Sequence, residues 1–404
     1  MTLNRDARLL FATRSVRMAG YGGLSVVLVL YLAALGFDGP TIGILLTLTL
    51  LGDTALSLWL TTHADRIGRR RVLLVGALLM SAAGLVFAGT DVVALLLVAA
   101  TIGVISPSGN EVGPFLAVEQ AALSQAVPDD RRTSVFAWYN FAGSVATAFG
   151  ALGAGLAVGA LLAARMSNID AYRVVLVGYA VVGLAIALLV RGIGFGIEAP
   201  RPTDATIVGR LGLHRSRGTV FRLSALFSLD AFAGGMVMQS LLAFWFHTTY
   251  GVPEATLGAI FFAANLLAAG SALAAGRIAA RIGLVNTMVF THLPSNVLLI
   301  LVPLMPTVEL AIAVLLLRFS ISQMDVPTRQ SYTMSVVDPD ERSAAAGVTG
   351  IARTTGAAIS PNLAAPLYAV PGLAFLPFVI AGGLKIAYDL ALWRAFRSRG
   401  GPQA

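Results

Sequence analysis

The sequence predicts an all-α membrane protein, twelve transmembrane helices arranged as two pseudo-symmetric six-helix bundles with both termini cytoplasmic. Three observations lead there. Of 404 residues, 57% are hydrophobic and only 12% charged, and the mean hydropathy is +0.82, which is too apolar for a water-facing chain of this length. The chain divides into twelve apolar runs, each close to the roughly 20 residues that cross a hydrocarbon core as a helix. Residue patterns of the first half recur in the second.

The first run, 19–36, has no small-residue cleavage site and follows Arg5, Arg8, Arg14 and Arg17, so it reads as a retained span behind a basic tail rather than a signal peptide. Runs 41–61 and 72–89 enclose a basic hinge, Asp65-Arg66-Ile67-Gly68-Arg69-Arg70-Arg71. Runs 92–115, 133–160 and 172–190 complete the first half. A polar stretch over 191–222 follows, with Pro200, Pro202, His214 and five arginines after Arg191. The second half holds runs 221–247, 255–275, 284–304, 308–327, 343–365 and 371–392. The expected domains are therefore 1–190, a cytoplasmic linker 191–220, and 221–404.

Loop arginines set the orientation. The N-terminal tail, the hinge, Arg131, Arg132, the linker, Arg277, Arg281, Arg342, Arg394, Arg397 and Arg399 fall on one side. The opposite turns carry Asp38, Asp91, Asp170, Glu254 and Glu309, with Arg165 and Arg173 as basic exceptions. Positive charge marks the cytoplasmic side.

The halves align at several points. Gly22-Gly23 matches Gly234-Gly235, Pro40 matches Pro253, Ile67-Gly68 matches Ile282-Gly283, and Gln120 matches Gln330. The loop Pro128-Asp129-Asp130-Arg131-Arg132 returns as Asp338-Pro339-Asp340-Glu341-Arg342. Duplicated halves of this kind mark transporters that rock one bundle against the other around a midplane site.

With twelve runs, a central linker and the hinge between the second and third runs, the sequence resembles the major facilitator superfamily over nearly its whole length. The family hinge reads Gly-x-x-x-Asp-Arg-x-Gly-Arg-Arg. Asp65, Arg66, Gly68, Arg69 and Arg70 fit it, Thr61 stands in place of the first glycine, and the second half keeps Arg281 and Gly283. The resemblance implies a charge latch that closes the cytoplasmic side in the outward-facing state. It also implies that the first and seventh helices border the cavity and that the twelfth is peripheral. The glycine-proline pattern of drug antiporters is incomplete, because the fifth run has Gly143, Gly150, Gly153 and Gly155 but no proline.

Ionisable residues within spans cost about 2.5–3.5 kcal/mol each at a helix centre, so each requires an account. In the fourth run, Ser106-Pro107-Ser108-Gly109-Asn110-Glu111-Val112-Gly113-Pro114 sets an amide and a carboxylate among helix breakers. The tenth run answers with Arg318, Gln323, Asp325 and Pro327. Freed carbonyls in a membrane require protein or a wet cavity around them. This pair of runs is the leading substrate site; the alternative is a polar kink that only packs helices. Glu119 and Arg329 occupy equivalent positions with opposite charge, as a gate or as snorkelling side chains. Asp53, and Asp230 with Gln239, belong either to the pathway or to inter-helix hydrogen bonding. Arg353 either binds an anionic solute or neutralises Asp325 or Asp230. Lys385 and Asp389, four apart, read as a structural pair. Gly356 and Ser360 suit close helix contact.

Absent cysteine excludes disulfides and thiolate chemistry. The four histidines, His63, His214, His247 and His292, show no metal spacing and read as end-of-helix residues. There is no Gly-Lys-Ser phosphate loop for ATP-driven pumping, no acid-base cluster that marks an enzyme, and no basic, aromatic-interleaved surface for nucleic acid. Trp138, Tyr139, Trp245, Phe246, Tyr250 and Trp393 suit an interfacial belt, with Trp138 and Tyr139 alternatively facing the cavity. The expected function is secondary transport of a small solute by alternating access, proton-coupled, with efflux favoured over uptake. A facilitative uniporter or a non-transporting membrane receptor are the alternatives. A monomer in the plasma (inner) membrane is expected, its partners being the solute, protons and the bilayer, with no cofactor and no metal.

Overall fold

A computed structural model describes residues 4–127, 129–198, 213–338 and 341–397, and the side chains of these except 62, 65, 66, 126, 129–134 and 343. Every regular element among the described residues is helical. The first half contains α1 (Arg5–Ala34), α2 (Gly39–Ile67), α3 (Arg69–Gly89), α4 (Val93–Ile102), α5 (Phe115–Ala126), α6 (Asp129–Ala163) and α7 (Asn168–Arg191). The second contains α8 (Arg217–Met236), α9 (Gln239–Tyr250), α10 (Glu254–Ile282), α11 (Leu284–Leu301), α12 (Val308–Phe319), α13 (Asp325–Ser335), α14 (Arg342–Tyr368) and α15 (Leu376–Phe396).

Every one of the twelve apolar runs carries helix, and sequence-local caps explain several starts. The Asn4 side chain accepts from the Ala7 N–H, Asp38 from Thr41 and Ser167 from Asp170, each supplying an oxygen to an orphan donor of a first turn. Along α7, Val174, Val177, Val181, Leu184 and Leu188 are exposed at three- and four-residue spacing. That is one outward apolar stripe, as hydrocarbon solvent requires and water penalises. Nine stretches of the described residues are long and apolar enough to cross a membrane, so the chain is a multi-pass membrane protein.

Runs 92–115, 308–327 and 343–365 fall outside those nine. The first was expected as one helix but is broken over 103–114 between α4 and α5; the second is broken over 320–324 between α12 and α13. The third, within α14, is continuous but carries Arg353, Thr354, Thr355, Ser360 and Asn362. The seventh run, expected continuous over 221–247, is also interrupted, at Val237 and Met238 between α8 and α9. The first run is longer than expected. Helix α1 begins at Arg5, and Arg14 and Arg17 lie inside it and are buried rather than forming a basic tail.

Packing divides the chain into two units. Unit 1 holds the described residues up to 198 together with 238–262, and unit 2 holds those from 213 to 237 and from 263 onward. In unit 1, α1 packs on α6, α7 and α9. A side chain at Gly22 would stand 2.0 Å from the Thr147 carbonyl oxygen of α6. In unit 2, α8 packs on α14 and α15, and a side chain at Gly235 would stand 2.1 Å from Ser360 Oγ. Each glycine pair thus supplies one close helix contact, through the first glycine in the first half and the second glycine in the second half, and Gly356, 2.4 Å from the Ser228 oxygen by the same measure, lies in the second contact.

Candidate functional site

The break in the fourth run is a closed set of hydrogen bonds. Gly109 and Gly113 take positive φ, 70° and 81°, a conformation open to glycine without steric strain. Four of the carbonyls released there, and the Gly113 amide, are met from unit 1. Tyr179 Oη donates to the Val104 oxygen at 2.8 Å, Ser106 Oγ to Asn110 at 2.7 Å, Tyr21 Oη to Val112 at 3.1 Å and the Ser240 N–H to Pro107 at 3.2 Å. The Gly113 N–H donates to Asp53 Oδ1 at 2.6 Å, and Ser57 Oγ reaches the same oxygen at 3.4 Å. Irregular backbone within a membrane survives only with such partners. Gln239 also belongs to this unit, donating from Nε2 to Ser25 Oγ at 2.8 Å, so it is separated from Asp230, its neighbour in the sequence pattern.

Beside the break lies a buried ion network. Arg17 donates through Nη1 and Nη2 to both oxygens of Glu119 at 2.8 and 2.7 Å, and through Nε to Glu111 Oε1 at 2.8 Å. Arg14 Nη1 is 2.9 Å from Glu111 Oε2, and its Nη2 donates to Asn140 Oδ1 at 3.3 Å. Thr13 and Tyr139 donate their hydroxyls to Glu119. Guanidinium planes lie over Tyr139 (Arg14) and Phe115 (Arg17), each 4.4 Å from the ring centre. Two arginines and two glutamates balance, and Arg17 meets Glu119 with the fork geometry that makes Arg–carboxylate pairs strong, while Arg14 Nη1 and Glu111 Oε2 are close in charge but not hydrogen-bonded.

Unit 2 is built differently. Asp230 on α8 accepts from Lys385 Nζ at 2.5 Å and from Arg329 Nη1 at 3.1 Å; the same Nη1 donates to Asp325 Oδ2 at 2.9 Å. Asp389 takes His292 Nδ1 and Asn296 Nδ2, both at 2.9 Å. Lys385 and Asp389, expected as a pair with each other, therefore have different partners. The reason is that the α15 face they share meets Asp230 of α8 on one side and His292 of α11 on the other. His292, expected at a helix end, lies mid-helix and 4% exposed because Asp389 requires a buried donor. Arg318, 9% exposed, and Arg353 make no ion pair and no hydrogen bond among the described residues, and the Nε of each is enclosed without a partner.

Glu119 and Arg329, aligned as a possible gate, each have partners within their own unit. Asn110 is exposed and Gln323 half-buried, the latter's backbone N–H donating to Ser271 Oγ at 3.3 Å. In the hinge, the side chains of Asp65 and Arg66 lie outside the described residues, as do Pro128, the side chains of 129–132, Pro339 and Asp340 in the repeated loop. Gly68 and Gly283 both take positive φ, 103° and 84°. The Glu198 carboxylate caps α3 by accepting the Arg69 and Arg70 N–H groups at 2.6 and 3.2 Å. Arg69 Nη1 donates to the Ile197 oxygen and Arg70 Nη2 to that of Arg191. Arg281 is exposed.

Sequence reasoning missed Arg14, Arg17, Tyr139 as a ligand of Glu119, and the His292–Asn296 pair. Arg14, Arg17 and Tyr21 follow three- and four-residue spacing with no proline between, and His292/Asn296 mirror Lys385/Asp389 at four-residue spacing, so helix-face signals were present. Of the expected interfacial belt, Trp138 is exposed, but Tyr139, Trp245 and Phe246 are buried, Tyr139 against Glu119 of α5 and Phe11 of α1.

A helical chain with two broken-helix units and internal ion networks matches a known sequence profile, that of the Major Facilitator Superfamily, over residues 10–361. The chain belongs to this superfamily. It is 30% identical over 419 residues to an uncharacterized membrane protein of Saccharomyces cerevisiae, covering 96% of this chain and 93% of the relative. Its fold is similar to that of a variant of the nucleoside transporter NupG, with a TM-score of 0.77, 14% identity and 96% and 99% of the two chains covered. A bacterial homolog of the human lysosomal transporter Spinster gives 0.75 at 14% identity, covering 98% of each chain. A D-xylose-proton symporter gives 0.73 at 14% identity, covering 96% and 97%. At these identities the solved structures share the fold with this chain.

Proposed function

We propose that this protein is a secondary transporter that moves a small solute across the plasma membrane by alternating access and couples that movement to protons. The observation that carries the reading is where regularity fails. Glu111, Asp230, Arg318, Asp325 and Arg353 all lie on the four runs that are broken or polar, and the membrane tolerates neither defect without function or compensation. Twelve spans in a six-plus-six arrangement, with both termini in the cytoplasm and the protein acting as a monomer, complete the proposal. The orientation is checked by introducing single cysteines at Glu198 and Asp170 into this cysteine-free chain. An impermeant thiol reagent should label position 170, and not 198, from outside intact cells.

Proton coupling is assigned first to Asp53. Glu111, Glu119, Asp230 and Asp325 already share arginine or lysine partners, whereas Asp53 is buried and, among the described residues, has no cation beside it. Its neighbours serve either state, since a backbone N–H donates to the carboxylate and no cation is left unpaired when a proton arrives. In proteoliposomes, Asp53→Asn should abolish accumulation driven by a pH difference yet leave solute-for-solute exchange intact, because exchange never returns an empty carrier. Undiminished accumulation in the variant removes Asp53 from the mechanism, whereas exchange without any accumulation by the wild-type protein favours a facilitative uniporter.

A further inference from the structure

We infer that unit 2 contains a binding site for an oxyanion, a carboxylate or phosphate group, whose donors are the guanidinium groups of Arg318 and Arg353. Resting on the transport reading above, this makes the transported solute an anion. The inference starts from charge. The ion network of unit 2 holds three buried carboxylates, Asp230, Asp325 and Asp389, against four basic side chains, the buried Arg318, Arg329 and Lys385 and the half-buried Arg353. Every carboxylate has close partners: Asp230 has Lys385 and Arg329, Asp325 has Arg329, and Asp389 has His292 and Asn296.

Four basic groups against three carboxylates leave an excess of one positive charge, and the two that make no ion pair among the described residues are Arg318 and Arg353. Arg318 is nine-tenths buried, and its guanidinium carbon lies 5.0 Å from the ring centre of its neighbour Phe319, a contact that supplies no counter-charge. Both arginines stand in the field of the same Asp230 and Asp325, and Arg353 also feels Arg329. Arg318 occupies the last turn of α12, directly before the 320–324 break, and Ser322 in that break has a buried Oγ without a hydrogen-bond partner. Buried cations are ordinarily paired because an isolated one forfeits its hydration. A bound anion would supply what these groups lack, and the planar guanidinium fork fits carboxylate and phosphate oxygens in pairs. A cationic solute finds no such welcome, since among the described residues of this network no carboxylate is free.

The test uses the purified full-length protein. Thermal unfolding is followed with acetate, succinate, citrate, benzoate and inorganic phosphate, with glucose and choline as controls, and counterflow of the same compounds is measured in proteoliposomes. At least one anion should raise the unfolding temperature and exchange across the membrane. Arg318→Gln and Arg353→Gln should each weaken its apparent affinity at least tenfold. Arg318→Lys, which keeps the charge and guards against a folding defect, should fall between wild type and Arg318→Gln because the fork is lost. Binding by none of the anions, or anion binding unchanged in both glutamine variants, overturns the inference. Counterflow of glucose or choline that ignores both variants leaves transport standing and removes the anion site. Anion stabilisation without counterflow of any compound keeps the site and removes transport. The same unfolding is run in phosphatidylcholine vesicles with and without phosphatidylglycerol. Stabilisation that needs phosphatidylglycerol and disappears in the glutamine variants assigns the site to a lipid headgroup and overturns the solute assignment.

Discussion

The two buried ion networks, one in each unit, are made of the same materials and reach different ends. In unit 1, Arg17 is held by three charge-assisted hydrogen bonds to Glu111 and Glu119, Arg14 stands against Glu111, and Thr13 and Tyr139 close the remaining acceptors of Glu119. In unit 2, three aspartates engage Arg329, Lys385 and His292, and Arg318 and Arg353 remain without ion pairs. The comparison teaches that intramembrane charge is not one kind of signal. A balanced network fixes helices to one another, whereas an unbalanced one is completed by something that comes and goes.

The largest effect should come from opening the closed network. Arg17→Met leaves the buried Glu119 without its bidentate partner, and losing one member of a buried pair costs about 3–5 kcal/mol. Thermal unfolding in detergent should show a correspondingly large fall. A variant as stable as wild type would mean that the unit 1 network does not hold α1 to α5.

The opposite sign is expected in unit 2. Arg318→Met removes a buried charge that has no partner, so the ligand-free protein should gain about 1 kcal/mol, as replacements of buried charge by packed apolar groups often do. The same unfolding measurement reads it. A large destabilisation instead would show that Arg318 is already satisfied, and the contrast between the units would collapse.

The smallest effect lies outside the spans, where Glu341 fixes the chain entering α8. It accepts the N–H groups of His214, Arg215 and Ser216, the latter two at 2.8 Å. Burial alone would raise this carboxyl, but the hydrogen bonds from the Ser216 side chain and these backbone amides outweigh it and hold the group at about 2, below its ordinary 4.5. A lowered folded value means that the carboxylate's stabilising contribution is complete above pH 4.5 and is lost as pH falls toward 2. Amide exchange at 215 and 216 should therefore lose protection, beyond the intrinsic pH dependence, across that window. In Glu341→Gln protection should be lower at neutral pH and free of that transition.

Much of this was legible in the chain itself. Apolar runs of span length, loop arginines and paired motifs such as Gly22-Gly23/Gly234-Gly235 and Gly68/Gly283 identify the architecture because each is a local or periodic property. Intramembrane charge marks Glu111, Asp230, Arg318, Asp325 and Arg353 for the same reason, since its cost does not depend on who the neighbours are. Which charge meets which was not legible. Arg14 and Arg17 look like topological anchors in the sequence, and become the core of unit 1 only because α1 starts at Arg5 and turns them toward α5 and Glu119.

The sequence by itself determined that this is a helical membrane protein with two related halves, because hydrophobic length and charge placement act residue by residue against the bilayer. Only the tertiary structure decided that Lys385 serves Asp230 while Asp389 serves His292, that Gln239 and Asp230 part at the break in the seventh run, and that Arg318 and Arg353 remain without counter-charge. Those outcomes depend on which helix faces meet, and ion-pair energies change over a few ångströms, a scale at which residues distant in sequence, such as Asp230 and Lys385, become neighbours.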